Sequence, residues 1–166
     1  MFRHGGIALL LLCAGSAPLP LTAATSQSFQ VSATVTAGCL VVGGVSNYGG
    51  LNFGSRSALA TGTVQVALTG GVQLQCTPGV TLNMSVDGGQ YNSSGRHMQV
   101  NSGSARVAYT LFRDAAYSQS LGIGQSVAVA YSDANNIRLP IYGQVQLPGN
   151  QPGGTYSDVL QVQLSW

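Results

Sequence analysis

Four carboxylates, one histidine and two cysteines carry most of the reactive chemistry of this chain beyond its first 24 residues: Asp87, Asp114, Asp133, Asp158, His97, Cys39 and Cys76. A Ser-His-Asp arrangement needs a histidine held between a nucleophile and an orienting carboxylate. His97 instead sits beside Arg96 at the apparent start of a strand, with no nucleophile motif near it. A glycosidase needs two carboxylates flanking one bond, and nothing in the spacing singles out a pair. Asp87 and Asp158 adjoin turn glycines or a strand start, where aspartate commonly hydrogen-bonds the backbone. Gly122-Ile123-Gly124 lacks the lysine and the following helix of a phosphate loop. Two thiols and one histidine are too few for a metal site. No catalytic, cofactor-binding or metal-ligating residue is therefore expected, and the chain reads as a non-enzyme. Tyr48, Tyr91, Tyr117 and Tyr142 are numerous enough to build an aromatic sugar-binding surface, although tyrosines more often pack over a sheet or in turns. Asn83-Met84-Ser85 and Asn92-Ser93-Ser94 match the glycosylation acceptor pattern, a short pattern that arises often by chance.

The elements that must position these residues begin after an export signal. Arg3 and His4 make a basic start, residues 7–13 an apolar core too short to span a bilayer, and Thr22-Ala23-Ala24 a small-residue cleavage site. Residues 1–24 thus read as a signal peptide and Thr25 as the new N-terminus. Cys13 leaves with the signal, so Cys39 and Cys76 remain, and two cysteines in an exported chain most simply form one disulfide. No later segment is long and apolar enough for a membrane helix.

Charged residues are 6% of the chain, all of them Arg or Asp, against roughly 25% in an ordinary soluble domain. Nucleic-acid binding needs a basic footprint that is missing here. A surface of Ser, Thr, Asn, Gln and Gly also lacks the usual electrostatic protection against self-association. A protein that assembles on purpose tolerates that.

Residues 28–36, SFQVSATVT, alternate strictly: Phe29, Val31, Ala33 and Val35 share one face, and Gln30, Ser32, Thr34 and Thr36 the other. This is the pattern of a half-buried strand. Strand-like alternation recurs through Val64-Val66-Leu68, Val72-Leu74-Cys76, Val80-Leu82-Met84-Val86, Val107-Tyr109-Leu111 and Val127-Val129-Tyr131. It continues from Ile137 to Leu147 and closes in residues 156–166, with Leu160, Val162, Leu164 and Trp166 on one face. Pro78-Gly79, Asp87-Gly88-Gly89, Pro148-Gly149 and Pro152-Gly153-Gly154 supply turns. No amphipathic helix is visible. Many short strands with Gly and Pro turns point to a β-sandwich in a single domain. The final strand has nothing after it to cover its free side, an edge that invites pairing with another chain.

Taken in order, several short segments are similar to the spore coat protein U domain family, which includes subunits of archaic chaperone–usher pili of the Csu type. They are the N-terminal alternating strand running into Gly38-Cys39, Leu51-Asn52-Phe53-Gly54, and residues 72–78 around Cys76. After them come Tyr109-Thr110-Leu111-Phe112-Arg113-Asp114, Ile141-Tyr142-Gly143-Gln144-Val145, and Pro152-Gly153-Gly154-Thr155-Tyr156-Ser157-Asp158 leading into the last strand. The resemblance implies an all-β, incomplete immunoglobulin-like β-sandwich lacking its last strand, with an N-terminal donor strand in residues 25–37 and a pilin domain in 38–166. It implies a groove filled first by a strand of a periplasmic chaperone and then, at an outer-membrane usher, by the N-terminal strand of the next subunit. Phe29, Val31, Ala33 and Val35 would be the donor face, with Ala33 small for a groove-filling position. Leu160, Val162, Leu164 and Trp166 would line the acceptor edge. The family's disulfide would map onto Cys39 and Cys76. Nine residues at about 3.3 Å each make a strand of roughly 30 Å, long enough to run the length of a sandwich. The implied role is a structural pilus subunit serving adhesion and biofilm formation, exported through the periplasm to the cell surface, with no cofactor and no nucleic acid. A secreted spore-coat or cell-surface structural protein of the same fold, or a sugar-binding module, are the alternatives.

Overall fold

Alternating burial follows the sequence pattern closely in the computed structural model, which describes residues 28–44 and 47–166. The expected signal peptide, residues 1–24, lies outside the described residues. The described residues form ten strands: β1 (Cys39–Val41), β2 (Thr61–Ala67), β3 (Leu74–Cys76), β4 (Asn83–Val86), β5 (His97–Val100), β6 (Arg106–Phe112), β7 (Val127–Ala128), β8 (Tyr142–Pro148), β9 (Tyr156–Ser157) and β10 (Val162–Ser165). Among the described residues the only helical stretch is a 3-10 turn, Val42–Gly44. No helix there is long and apolar enough to cross a membrane.

The chain divides after Thr34 into two units, Met1–Thr34 and Val35–Trp166. In the first, residues 28–34 take part in no strand, and Phe29 and Val31 are more than four-fifths exposed. The second is a layered β-structure. One layer is a five-stranded antiparallel sheet in the order β2-β8-β6-β5-β9. Facing it are the three-stranded sheet β10-β4-β7 and the pair β1-β3. In β6, Val107, Tyr109 and Leu111 are buried while Arg106, Ala108 and Thr110 face solvent, the half-buried pattern that period two demands. The core joins these residues and Val145 of β8 to Leu74 and Cys76 of β3, Met84 and Val86 of β4, and Val127 of β7. Gly143 of β8 is buried beneath Leu51 and Phe53; a Cβ there would stand 3.0 Å from the Phe53 ring and 3.1 Å from Leu51. Its lack of a side chain is what lets the segment before β2 lie down on the sheet.

Cys39 and Cys76 form a disulfide, directly opposite one another in the β1/β3 ladder with Cα atoms 4.0 Å apart. The loop they close spans 37 residues. Replacing either by serine is expected to lower the unfolding free energy by about 4 kcal/mol on the chain-entropy account. Urea titration of the oxidised protein against Cys39→Ser or Cys76→Ser checks this, and an unchanged midpoint in both would remove the bond from the stability account.

Residues 156–166 do not form the single strand that their alternation suggests. The chain makes β9 beside β5 in the five-stranded sheet, crosses over at residues 158–161, and makes β10 beside β4 in the opposite sheet. The break falls at Asp158, whose carboxylate binds its own neighbour's amide and two partners on other elements, pulling the backbone off the first ladder.

Candidate functional site

The last strand leaves one side unmatched. Among the described residues β10 pairs with β4 alone, in the register Val162↔Val86, Gln163↔Ser85, Leu164↔Met84, Ser165↔Asn83. The Asp87 amide donates to the Gln161 carbonyl at 3.0 Å. Antiparallel alternation then gives Gln161, Gln163 and Ser165 the backbone groups that face β4. Leu160, Val162 and Leu164 accordingly turn their N–H and C=O groups toward the open side, while their side chains, half-buried, pack against the core. An unpaired polar edge above an apolar wall is the arrangement that accepts a further strand.

Beside this edge lies a cleft of about 550 Å³, bounded by residues 156–162 on one side and 47–51 with Phe53 on the other. Val86, Met98, Tyr109 and Ile141 form its floor. A second hollow of about 560 Å³ continues it past Leu51, Phe53, Met98 and Tyr156, which line both. Leu51, Phe53, Leu68, Val86, Met98 and Ile141 give the lining apolar surface, Asn47, Ser157 and Gln161 bring polar groups to its rim, and the Tyr109 hydroxyl donates to Asp158 Oδ2 at 2.7 Å. Burial, reinforced by that hydrogen bond and by the Asp158 charge, pushes the Tyr109 hydroxyl well above the usual phenol range, so it remains a donor.

Beneath the cleft's end, Arg96 is 5% exposed and donates to four backbone carbonyls: Asp87 from Nε at 2.8 Å, Leu121 from Nη1 at 2.7 Å, and Val86 and Gly122 from Nη2 at 2.8 and 3.3 Å. Desolvation lowers its pKa from the ordinary guanidinium value, opposed by the charges of Tyr109, Asp87 and Asp158. In the sequence Arg96 is marked only as a neighbour of His97. Its four acceptors lie 9 to 26 residues away, so no local pattern could have marked it. Asp87 and Asp158, by contrast, do bind backbone amides, as their positions beside turns suggested.

The other residues considered for chemistry are dispersed. His97 is half-buried with Nδ1 2.8 Å from the Gly95 carbonyl. Asp114 caps its own loop, accepting from the Ser118 hydroxyl at 2.7 Å and the Gln119 amide at 2.7 Å. Among the described residues no three His, Cys, Asp or Glu side chains converge. Of the four tyrosines weighed as one surface, Tyr48 lines the cleft and Tyr91 lies under the Arg106 guanidinium. Only Tyr117 and Tyr142 touch each other, edge to face with ring centroids 5.9 Å apart.

The residues of the expected donor face, Phe29, Val31, Ala33 and Val35, are all exposed. Of the expected acceptor edge, Leu160, Val162 and Leu164 sit as described above. Trp166 lies past the end of β10, 60% exposed, and a Cβ at Gly38 would stand 3.5 Å from its indole Nε1.

A family model described as the Spore Coat Protein U domain matches residues 25–163. No curated protein matches the chain. Among solved structures, the fold is similar to a chain in the CsuC–CsuE chaperone–tip adhesion subunit pre-assembly complex from archaic chaperone–usher Csu pili of Acinetobacter baumannii. The TM-score is 0.52 at 15% identity, covering 80% of this chain and 41% of that one. A chaperone–tip adhesin complex of CFA/I fimbriae biogenesis matches with TM-score 0.47 and 13% identity over 78% of this chain and 41% of that one. The chain thus spans about two fifths of each solved chain that it matches.

Proposed function

The chain belongs to the Spore Coat Protein U domain family, and on that premise we propose that it is a structural subunit of a surface pilus, polymerised by donor-strand exchange. It is exported through the periplasm, held there by a pilus chaperone, passed to an outer-membrane usher and built into a fibre that supports adhesion and biofilm formation. The observation that carries this is the free edge of β10, whose Leu160, Val162 and Leu164 pack on the core beside a cleft, in a chain whose N-terminal residues present an exposed alternating face. The two features are complementary: one lacks a strand, the other is strand-patterned and unpaired among the described residues. Backbone hydrogen bonds along Leu160, Val162 and Leu164 supply affinity, and the apolar faces supply fit. Such a mechanism calls for no cofactor and no catalytic group. The shortage of charge on this chain is compatible with it, because subunits brought together in a fibre have no need of mutual repulsion.

Period two provides a direct test. Val31→Asp puts a charge on the face that enters the cleft, and burying an unpaired carboxylate is prohibitive. Ser32→Asp puts the same charge one residue along, on the opposite face. Val31→Asp is expected to cut polymer yield at least about tenfold, the equivalent of ~1.4 kcal/mol or more, with Ser32→Asp close to wild type on gels of unheated polymer. Equal effects at the two positions would mean that residues 28–36 do not insert as a strand.

A further inference from the structure

Residues 158–161 bridge the two sheets and form one rim of the cleft, and they are fixed by side chains rather than by a continuous ladder. Asp158 Oδ2 accepts from the Tyr109 hydroxyl at 2.7 Å, and Oδ1 accepts from the amides of Gln90 and Val159, each at 2.9 Å. At the other end, the amide of Gln161 donates to Asp87 Oδ1 at 2.9 Å. An uninterrupted antiparallel ladder would send that amide to the Asp87 carbonyl. That carbonyl is taken by Arg96 Nε at 2.8 Å, and the carboxylate substitutes for it. The seat for Asp158 depends on Gly89, which has φ 80°, and a Cβ there would overlap the Asp158 carboxylate. Glycine is required on both counts.

A strand entering the cleft must pair with Leu160 and Val162, whose backbone groups face the open side. Between the two-residue β9 and the first pair of β10, that stretch is held in place by Asp158 and Asp87. A rim already ordered before the strand arrives spares the ordering cost at capture. On the reading that the cleft receives a strand, we infer that Asp158, supported by Tyr109, Asp87 and the Gly89 seat, is a positioning residue that holds the rim in register for the incoming strand. It acts through Leu160 and Val162 rather than by filling the cleft itself, which separates it from the apolar residues that make the groove.

The test uses the full chain carrying Val31→Asp, so that its own N-terminal segment cannot occupy a cleft, refolded with a fluorescent peptide of residues 25–37. Adding Asp158→Asn is expected to speed peptide release about tenfold, the equivalent of ~1.4 kcal/mol. Tyr109→Phe, which removes one bond and keeps the ring, is expected to shift release in the same direction by about threefold. Hydrogen exchange of the filled complex should rise in residues 158–162 and stay unchanged in β6. Release unchanged in both variants overturns the inference. So does a parallel rise of exchange in β6, which would make Asp158 a general stabiliser of the body. If Asp158→Asn does not fold, Tyr109→Phe decides by the same two readouts. If the unaltered cleft captures no peptide at all, the donor-strand reading fails first, an outcome separate from failure of the rim variants.

Discussion

Deleting residues 25–36 should abolish polymers while leaving a body that accepts the missing segment as a free peptide. The deleted stretch contains Phe29, Val31 and Val35, all more than four-fifths exposed in this chain. Full burial of each such side chain contributes about 1.5–3 kcal/mol. A strand laid against Leu160, Val162 and Leu164 adds a run of backbone hydrogen bonds, each worth about 1 kcal/mol net. Both terms vanish together in the deletion, and among the described residues no other alternating segment lies wholly outside the sheets to replace them. The core, which lies between β6 and β8 on one side and β3, β4 and β7 on the other, contains none of the deleted residues. On the proposed reading, the chain without 25–36, co-produced with a pilus chaperone, should be recovered unpolymerised in complex with it, with an intact Cys39–Cys76 bond. Fibres seen by electron microscopy in that preparation would show that assembly uses some other segment.

Arg96→Met is expected to destabilise the body strongly. Arg96 is the buried charged residue of the described structure, 5% exposed, and its fork ties together the end of β4, the residues after it and the loop at Leu121 and Gly122. Methionine fills much of the volume and donates nothing, so the carbonyls of Asp87 and Leu121 lose their donor, while that of Val86 keeps the Gly124 amide at 2.9 Å. Each buried group left unsatisfied costs about 1–3 kcal/mol, which puts the total for the two at about 2–6 kcal/mol. Domains of this size are stable by about 5–15 kcal/mol. Arg96→Lys should recover little, because an ammonium on a flexible stem cannot reach acceptors spread around a planar fork. Urea unfolding of the oxidised chain measures both; a methionine variant within about 1 kcal/mol of wild type would mean that water replaces the guanidinium at those carbonyls. The loss should also reach the cleft, since the freed Asp87 carbonyl would compete with its own carboxylate for the Gln161 amide.

Much of the fold is legible in the sequence because a half-buried strand writes its burial into every second residue. Met84 and Val86 in β4, Val107, Tyr109 and Leu111 in β6, and Val162 and Leu164 in β10 all point inward, as their alternation requires. The disulfide is equally legible once Cys13 is assigned to the expected signal, since Cys39 and Cys76 then leave one pairing. The membership of Leu160, Val162 and Leu164 in one wall could also be read, because side-chain direction is a local property of an extended backbone.

What sequence alone determined here is therefore the all-β class, the facing of most strands, the disulfide and the family. Which strands pair with which was decided only in three dimensions. Residues 156–166 alternate as one strand, yet they belong to two sheets, because the Asp158 carboxylate finds Tyr109 and the Gln90 amide on other elements and turns the chain across the sandwich. Arg96 carries no mark at all in its local sequence; its role comes from carbonyls that converge on it from separate parts of the chain. The physical reason is the same in both cases. Hydrophobic alternation is set residue by residue along the backbone, whereas a buried polar group is satisfied only by partners that the whole fold brings within hydrogen-bond distance.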